Sequence, residues 1–175
     1  MHLYFIRHGE SESNYGELIT GRQDVVLTDK GREQARQAGQ DIIAKGIKID
    51  HIISSPLVRA QETAKLIAQE VGYPEGAIKV NDLVIERSFG SLEGQPKNLT
   101  LTSDDEYVTG CGGESQEAIL ARAQEFVDSL KGIEGTVLVV SHTGFGRRLR
   151  AVVKNITVQH SKNFKNAQLT DLGEL

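Results

Sequence analysis

The sequence predicts an α/β fold with three layers, α/β/α, in which helices flank a mostly parallel central sheet. Two observations lead to this prediction. Short runs that are apolar throughout alternate with amphipathic helical patterns, and fully apolar runs of this kind are typical of buried parallel strands. No internal repeat, low-complexity tract or flexible linker interrupts the 175 residues, so we expect a single domain over residues 1–175.

The first predicted pair of elements is a strand at residues 3–6 and a helix at residues 28–45. Thr28 is a suitable N-cap for this helix, and Gly46 stands just past its end. The spacing of the apolar residues indicates one buried face, made by Ala35, Ala38 and Ile42.

The second pair is a strand at residues 52–53 and a helix that begins directly after it. Ser54, Ser55 and Pro56 predict the start of this helix, because a hydroxyl cap and a proline in the first turn are common there. Its buried face is expected to consist of Leu57, Ala60, Ala64, Ile67 and Val71.

Ser115 predicts the start of a third helix, with Glu117 near its positive end and Gly132 closing it. A strand at residues 136–140 and a last helix follow. Residues 164–172 alternate only weakly as a final strand, and residues 94–113 show no periodicity. The inner faces of the two helices are expected to be Ile119, Ala123, Phe126 and Leu130 in the first and Phe145, Leu149 and Val152 in the second.

Composition and charge narrow the class of function. With 38% apolar residues, 25% charged residues and a formal charge of −4, the chain is neither a disordered acidic tail nor a basic nucleic-acid binder. Its apolar runs fall far short of the ~20 residues that cross a bilayer, and no export signal is visible. The lone Cys111 suits a reducing compartment. We therefore expect a cytoplasmic protein without nucleic-acid or membrane partners.

Polar residues whose side chains can bind a ligand or react follow three of the predicted strands. In open sheets of this kind, ligands bind beyond the carboxyl ends of the strands. Arg7 and His8 follow the first strand, Arg59 lies in the helix after the second, and His142 follows the strand at residues 136–140. These side chains are therefore expected to meet on one edge of the sheet.

The residue types on that edge favour an anionic ligand. Arginine presents a fork of donors that matches phosphate oxygens, and helix N-termini offer unpaired backbone N–H groups. A neutral histidine among such donors is a competent nucleophile toward phosphorus. Glu86, which follows the apolar residues 83–85, is the best candidate for the acid that protonates the leaving oxygen.

Six blocks of the sequence together resemble the histidine phosphatase superfamily, in the branch that contains cofactor-dependent phosphoglycerate mutases and related phosphatases. The resemblance spans essentially the whole chain and implies a phosphoglycerate mutase-like fold. In order, the blocks are RHGESESN (7–14), TGRQDVVLTDKGREQA (20–35), SSPLVRAQETA (54–64), IERSFGSLEG (85–94), GGES (112–115) and VSHTGFGR (140–147).

The resemblance also implies roles for individual residues. His8 matches the histidine that is phosphorylated during turnover, and Glu86 matches the proton donor. Phosphate-pocket positions of the family are matched by Arg7, Arg59 and His142. Further positions beside the substrate are matched by Asn14, Thr20 and Gly21, while Thr143 stands where a glycine is common and affects the shape of the pocket.

The segment between Glu86 and the GGES block bears on the reaction. Mutases of this branch carry an insertion here with paired arginines, whereas residues 98–113 contain no arginine and include Asp104, Asp105 and Glu106. This favours a phosphatase that acts on a small phosphorylated metabolite. Lys97 stands where mutases keep a lysine, so mutase-type phosphoryl transfer stays open, as does a phosphohistidine protein phosphatase.

Two rival functions come from other classes. His8, His142 and Glu86 form the residue set of a two-histidine, one-carboxylate metal site, but Arg7 and Arg59 beside a divalent ion would be electrostatically unfavourable. A module that binds a phosphorylated ligand without turnover is the second rival. We expect no metal and no cofactor; the substrate's identity and the choice between monomer and homodimer are not encoded in any motif.

Overall fold

The computed structural model describes residues 1–175, apart from the side chains of Tyr15 and Leu99. The strands are β1 (His2–Arg7), β2 (His51–Ser54), β3 (Lys79–Val80), β4 (Thr136–Ser141) and β5 (Leu169–Glu174). The helices are α1 (Glu12–Tyr15), α2 (Asp29–Ala44), α3 (Val58–Val71), α4 (Leu99–Ser103), α5 (Asp105–Gly110), α6 (Gln116–Ser129) and α7 (Thr143–Lys154).

The strands form one mixed sheet in the order β3-β2-β4-β1-β5. β1 through β4 are parallel to their neighbours, and only β5 runs antiparallel, against β1. The prediction of a mostly parallel sheet is therefore confirmed, and the weakly alternating tail does contribute a strand. β1 and β4 pair in register from His2 with Thr136 to Arg7 with Ser141, so their carboxyl ends lie side by side.

Alternate residues of β1 enter two separate cores, one on each face of the sheet. Leu3 and Phe5 pack with residues of α6 and α7, including Phe126 and Phe145. Ile6 packs on the opposite face with residues of α2 and α3. A strand buried on both faces requires a helical layer on each side, and the predicted three-layer α/β/α class is confirmed.

The helix after β2 begins later than the sequence predicts. Its N-cap is Leu57, which makes no side-chain capping bond, and the first helical residue is Val58 rather than Pro56. The backbone N–H of Val58 instead donates to Asp24 Oδ1 at 2.7 Å, from a loop 34 residues earlier in the chain. The cap is therefore a tertiary contact, which local sequence patterns do not reveal.

Two other segments differ from a simple strand–helix alternation. The apolar residues before Glu86 form a 3₁₀ turn at Asp82–Val84 and not a strand, and the adjacent β3 is only two residues long. The stretch without periodicity, residues 94–113, contains the short helices α4 and α5. Within the described part of the chain, no helix combines the length and apolarity needed to cross a membrane.

Candidate active site

The parallel register brings three polar chain segments together at one edge of the sheet. Because Arg7 is opposite Ser141 and Ser54 is opposite Val140, β1, β4 and β2 end at the same level. The turns that follow are tied to the central strand β4: His8 N donates to Ser141 O at 2.9 Å, and Ser55 N donates to Val140 O at 3.0 Å. The edge predicted from the strand ends is thus a single continuous surface.

The imidazole of His8 is held in one tautomer. Its Nδ1 lies 2.7 Å from the carbonyl oxygen of Gly9, which can only accept, so Nδ1 carries the proton. Nε2 therefore has a free lone pair, toward which Arg59 Nε donates at 3.3 Å. Burial, reinforced by Arg59 and Arg7, holds the pKa of His8 well below its usual value. The ring is a neutral base whose lone pair faces a guanidinium.

Arg59 anchors this arrangement from the first turn of α3. Only 1% of the residue is exposed, and its two terminal nitrogens donate to the carbonyls of Gly21 at 2.8 Å and Gln23 at 2.7 Å. Burial lowers the pKa of Arg59 to about 10, so the side chain remains cationic at neutral pH. Gly21, predicted to lie against the substrate, thus holds the guanidinium that contacts His8.

Arg7 and His8 are also fixed by the end of the chain. Arg7 Nη1 donates to Phe164 O at 3.1 Å, and Ala167 N donates to Arg7 O at 2.8 Å. Asn166 Nδ2 donates to the His8 carbonyl at 2.9 Å. The same amide lies 3.4 Å from Asn14 Oδ1, which places Asn14 beside the site as the sequence predicts.

His142 lies directly behind His8, with the two ring centroids 5.1 Å apart. Its Nε2 is 2.7 Å from Ser55 Oγ, so the serine that sequence reasoning assigned to a helix cap orients this histidine. His142 is fully buried, whereas each of the other predicted site residues lines the pocket. No local signal indicates the Ser55 contact, because it joins residues 87 positions apart.

Glu86 sits across the N-terminus of α7. Its carboxylate accepts from the backbone N–H groups of Gly144 and Phe145, both at 3.0 Å, and from that of Arg87 at 2.8 Å. A Cβ at position 144 would overlap the Glu86 carboxylate, so only glycine permits this approach. The carboxyl is therefore positioned by main-chain donors rather than by a basic side chain.

Unsatisfied donors at the site indicate an anionic ligand. Among the described residues, the solvent-inaccessible side-chain polar atoms without a hydrogen-bond partner are Arg7 Nε, His142 Nδ1, Thr143 Oγ1 and Ser161 Oγ. Three of these belong to residues at the ends of β1 and β4. Buried polar groups are normally hydrogen-bonded, and phosphate oxygens would supply the missing acceptors.

These residues surround a cavity of about 430 Å³. The predicted residues among its lining are Arg7, His8, Asn14, Thr20, Gly21, Arg59, Glu86 and Thr143. Thr20 Oγ1 forms a hydrogen bond with Ser13 Oγ at 2.6 Å, which fixes the loop that covers one side of the cavity. The pocket is large enough for a phosphorylated small molecule.

The geometry does not favour the metal-site interpretation of His8, His142 and Glu86. Across the described chain, no three His, Cys, Asp or Glu side chains are arranged to hold an ion. His142 Nε2 contacts Ser55, and the Glu86 carboxylate is engaged by backbone N–H groups.

Comparison with known proteins places this arrangement in a family. The family model described as histidine phosphatase superfamily, branch 1, matches residues 3–174. The chain belongs to the histidine phosphatase superfamily. This agrees with the resemblance carried by its six sequence blocks.

Individual relatives within the superfamily differ in the reaction they are named for. The chain is 43% identical over 166 residues to a 2,3-bisphosphoglycerate-dependent phosphoglycerate mutase of Methylobacterium sp., covering 86% of this chain and 78% of the mutase. A mutase of the same description from Parvibaculum lavamentivorans is 44% identical over 96 residues, which is 55% of this chain but only 46% of that relative. A putative α-ribazole-5′-P phosphatase from Escherichia coli has a TM-score of 0.82 at 26% identity, covering 98% and 89% of the two chains.

The pocket of this histidine phosphatase superfamily member also contains basic residues that were not predicted as site residues. Arg147 and Arg148 reach the pocket from α7, and Arg87 reaches it from the turn beside Glu86. The consecutive arginines at positions 147 and 148 are visible in the sequence, but only the packing of α7 shows that both line the pocket.

Because two histidines are buried, we predict that the protein is less stable at acidic pH. Burial, with Arg59 next in effect, lowers the pKa of His142 as it does that of His8. In the unfolded chain both regain an ordinary pKa near ~6.5, so below that pH the unfolded state binds more protons than the native state. The contribution of the two histidines to the free energy of unfolding should therefore be complete above about pH 6.5. Below that pH, the free energy of unfolding should decrease by up to about 1.4 kcal/mol per pH unit for each histidine.

Urea unfolding at pH 7.5 and at pH 5.5 measures this effect. His142→Gln should reduce the pH dependence, whereas the exposed His160→Ala should not. An unfolding free energy that is equal at the two pH values would contradict the prediction.

Proposed function

We propose that this protein hydrolyses the phosphate monoester of a small metabolite through a phosphohistidine intermediate on His8. The observation that carries the proposal is the neutral His8 imidazole, with Nε2 unprotonated and facing Arg59. Arg7 and Arg59 are placed to bind the phosphoryl oxygens whose charge spreads in the transition state. The unpartnered polar atoms of Arg7 and Thr143, two residues that line the pocket, support the same assignment.

In the first step, His8 Nε2 attacks phosphorus, and the bond between phosphorus and the ester oxygen breaks. The leaving oxygen takes a proton from the carboxyl of Glu86, the proposed general acid. In the second step, water attacks the phosphohistidine, its proton passes to Glu86, and the P–N bond breaks. Inorganic phosphate leaves, and the imidazole is restored.

Mutase-type phosphoryl transfer is the second candidate, favoured by the names of the curated relatives. It shares the first step and differs in the acceptor, since a second substrate rather than water takes the phosphoryl group from His8. A phosphate-release screen over a panel of monoesters, beside a phosphoglycerate mutase assay, distinguishes the two reactions. Phosphate release well above mutase turnover supports the phosphatase; efficient mutase turnover with negligible release would overturn it.

The same screen, run with and without EDTA, tests metal independence. We expect equal phosphate release in both, because the proposed steps use only side chains of this chain and water. Loss of activity in EDTA that returns on adding a divalent ion would contradict the proposed chemistry.

Replacement of the proton donor gives a further prediction. Glu86→Gln should slow the hydrolysis of alkyl phosphates more than that of aryl phosphates, because a good leaving group needs little protonation. The ratio of kcat/KM for an alkyl and an aryl ester, measured in both proteins, checks this. Glu93→Gln, at a carboxylate that binds backbone N–H groups beside the pocket, is a matched control. An equal loss on both ester classes in Glu86→Gln would remove Glu86 from this role.

A further inference from the structure

Arg148 is a buried cation without an acidic partner. The residue, on α7, is 6% exposed, and its single hydrogen bond to the protein runs from Nη1 to the carbonyl of Gly144 at 3.1 Å. None of the ion pairs formed by the described side chains includes it. Burial lowers the pKa of Arg148 to about 10, so it still carries its charge at neutral pH.

Two other arginines with little exposed surface do have carboxylate partners. Arg87, which is 2% exposed, pairs with Asp105 at 2.6 Å, and Arg122 pairs with Glu114 at 2.8 Å. Removing an unpaired charge from water costs several kcal/mol, so such a charge is kept where a partner arrives from outside. Arg148 therefore resembles Arg7 and Arg59, which also form no carboxylate pair and surround the nucleophile.

The free donors of Arg148 face space that a ligand can reach. Two guanidinium nitrogens of Arg148 make no hydrogen bond to the protein. They are absent from the set of solvent-inaccessible polar atoms without a partner, so they are accessible from a cavity. Arg148 lines both the pocket around His8 and an adjoining groove between α6 and α7. Residues common to both cavities are Ser103, Gln116, Arg147 and Arg148. Arg148 thus marks the place where the leaving part of a substrate would pass from the pocket into the groove.

The charge of the pocket exceeds what one phosphoryl group requires. Glu86 is the one carboxylate among its described lining residues. The two positive charges of Arg7 and Arg59 already equal the charge of a phosphoryl dianion beside His8. The basic lining residues are Arg7, Arg59, Arg87, Lys97, Arg147 and Arg148.

We propose that Arg148 binds a second anionic group, a carboxylate or a phosphate, on the leaving part of the substrate. It is then a specificity-determining residue that favours phosphate esters with two anionic groups. The proposal rests on the proposed function, since it names the class of ester that the same pocket accepts. Residues 98–113 contain no arginine, so this second anion site would lie on α7 instead.

Matched pairs of esters test the proposal by kcat/KM. 3-Phosphoglycerate against glycerol 3-phosphate isolates a carboxylate, and fructose 1,6-bisphosphate against fructose 6-phosphate isolates a phosphate. We expect the wild type to prefer the doubly anionic member of at least one pair by about tenfold or more, the order of one charge-assisted contact. Arg148→Met should reduce that preference to about twofold or less, and Arg148→Lys should keep part of it. Lys154→Met removes an exposed charge from the same helix and should keep the full preference.

Binding to His8→Ala protein separates this proposal from the proposed function. Calorimetric titration with each ester needs no turnover, so it reads the Arg148 contact even if no ester is hydrolysed. The doubly anionic ester should bind His8→Ala more tightly than its partner, and the difference should vanish in His8→Ala with Arg148→Met. An unchanged ratio after loss of Arg148, or no preference for either second anion in the wild type, would overturn the proposal. Absence of hydrolysis with the binding difference intact would instead refute only the phosphatase function.

Discussion

Replacing His8 by alanine should lower the rate of phosphate release at least ~10³-fold, equivalent to about 4 kcal/mol of activation free energy. The reason is that no other described side chain presents an unprotonated nitrogen to Arg59 in the pocket. The wild-type protein, mixed briefly with a radiolabelled ester and quenched without acid, should retain label that is lost in acid and stable in base. His8→Ala should retain none.

The exposed histidine at position 160 provides a matched control. Among the described side chains, the hydrogen-bond partner of its ring is Thr157 Oγ1 at 2.8 Å, and His160 does not line the pocket around His8. His160→Ala should therefore release phosphate and retain label as the wild type does. Wild-type turnover in His8→Ala would end the proposed mechanism.

Replacing Arg59 should affect both activity and stability. Arg59→Lys keeps the charge but loses the planar fork that reaches His8, Gly21 and Gln23 together, so kcat/KM should fall at least ~10²-fold. In Arg59→Met, the carbonyls of Gly21 and Gln23 lose their donors, and the unfolding free energy should fall by about 2–4 kcal/mol. Steady-state kinetics and urea unfolding on each variant measure the two effects.

Arg36 offers the corresponding control outside the site. Its side chain is 43% exposed and forms a loose ion pair with Glu33 at 3.6 Å, so Arg36→Lys should change neither kcat/KM nor stability. If Arg59→Lys retained wild-type kcat/KM, a role in the reaction for the planar guanidinium of this arginine would be excluded.

Local patterns in the sequence predict the layers of this fold well. The helix beginning after Thr28 is found with Thr28 as its cap, accepting from Gly31 N, and Ser115 caps α6 in the same way through Ala118 N. The apolar strands lie where the runs at residues 3–6, 52–53 and 136–140 predict them. These features depend on neighbouring residues, and their signals are therefore local.

The features that sequence reasoning missed depend on contacts between distant segments. Asp24 caps α3 across 34 residues, and Ser55 contacts His142 across 87. Arg148 was not predicted as a site residue because it is distinguished by the absence of a carboxylate partner. A single sequence does not show which arginines lack an ion pair. Strand ends and family blocks identified candidate site residues that do lie together at one edge of the sheet, while the presence of Arg147 and Arg148 in the pocket depends on the packing of α7.

The ties between β1 and the last residues of the chain determine when during synthesis the site can form. Phe164, Asn166 and Ala167 hold Arg7 and His8 in place, and β5 closes the sheet beside β1. A nascent polypeptide on the ribosome lacks these supports until residues 164–174 have been synthesised, although Arg7 and His8 precede them by more than 150 residues. Because contacts of such long sequence separation are slow to form, the site around His8 should become ordered only after β5 has left the ribosome.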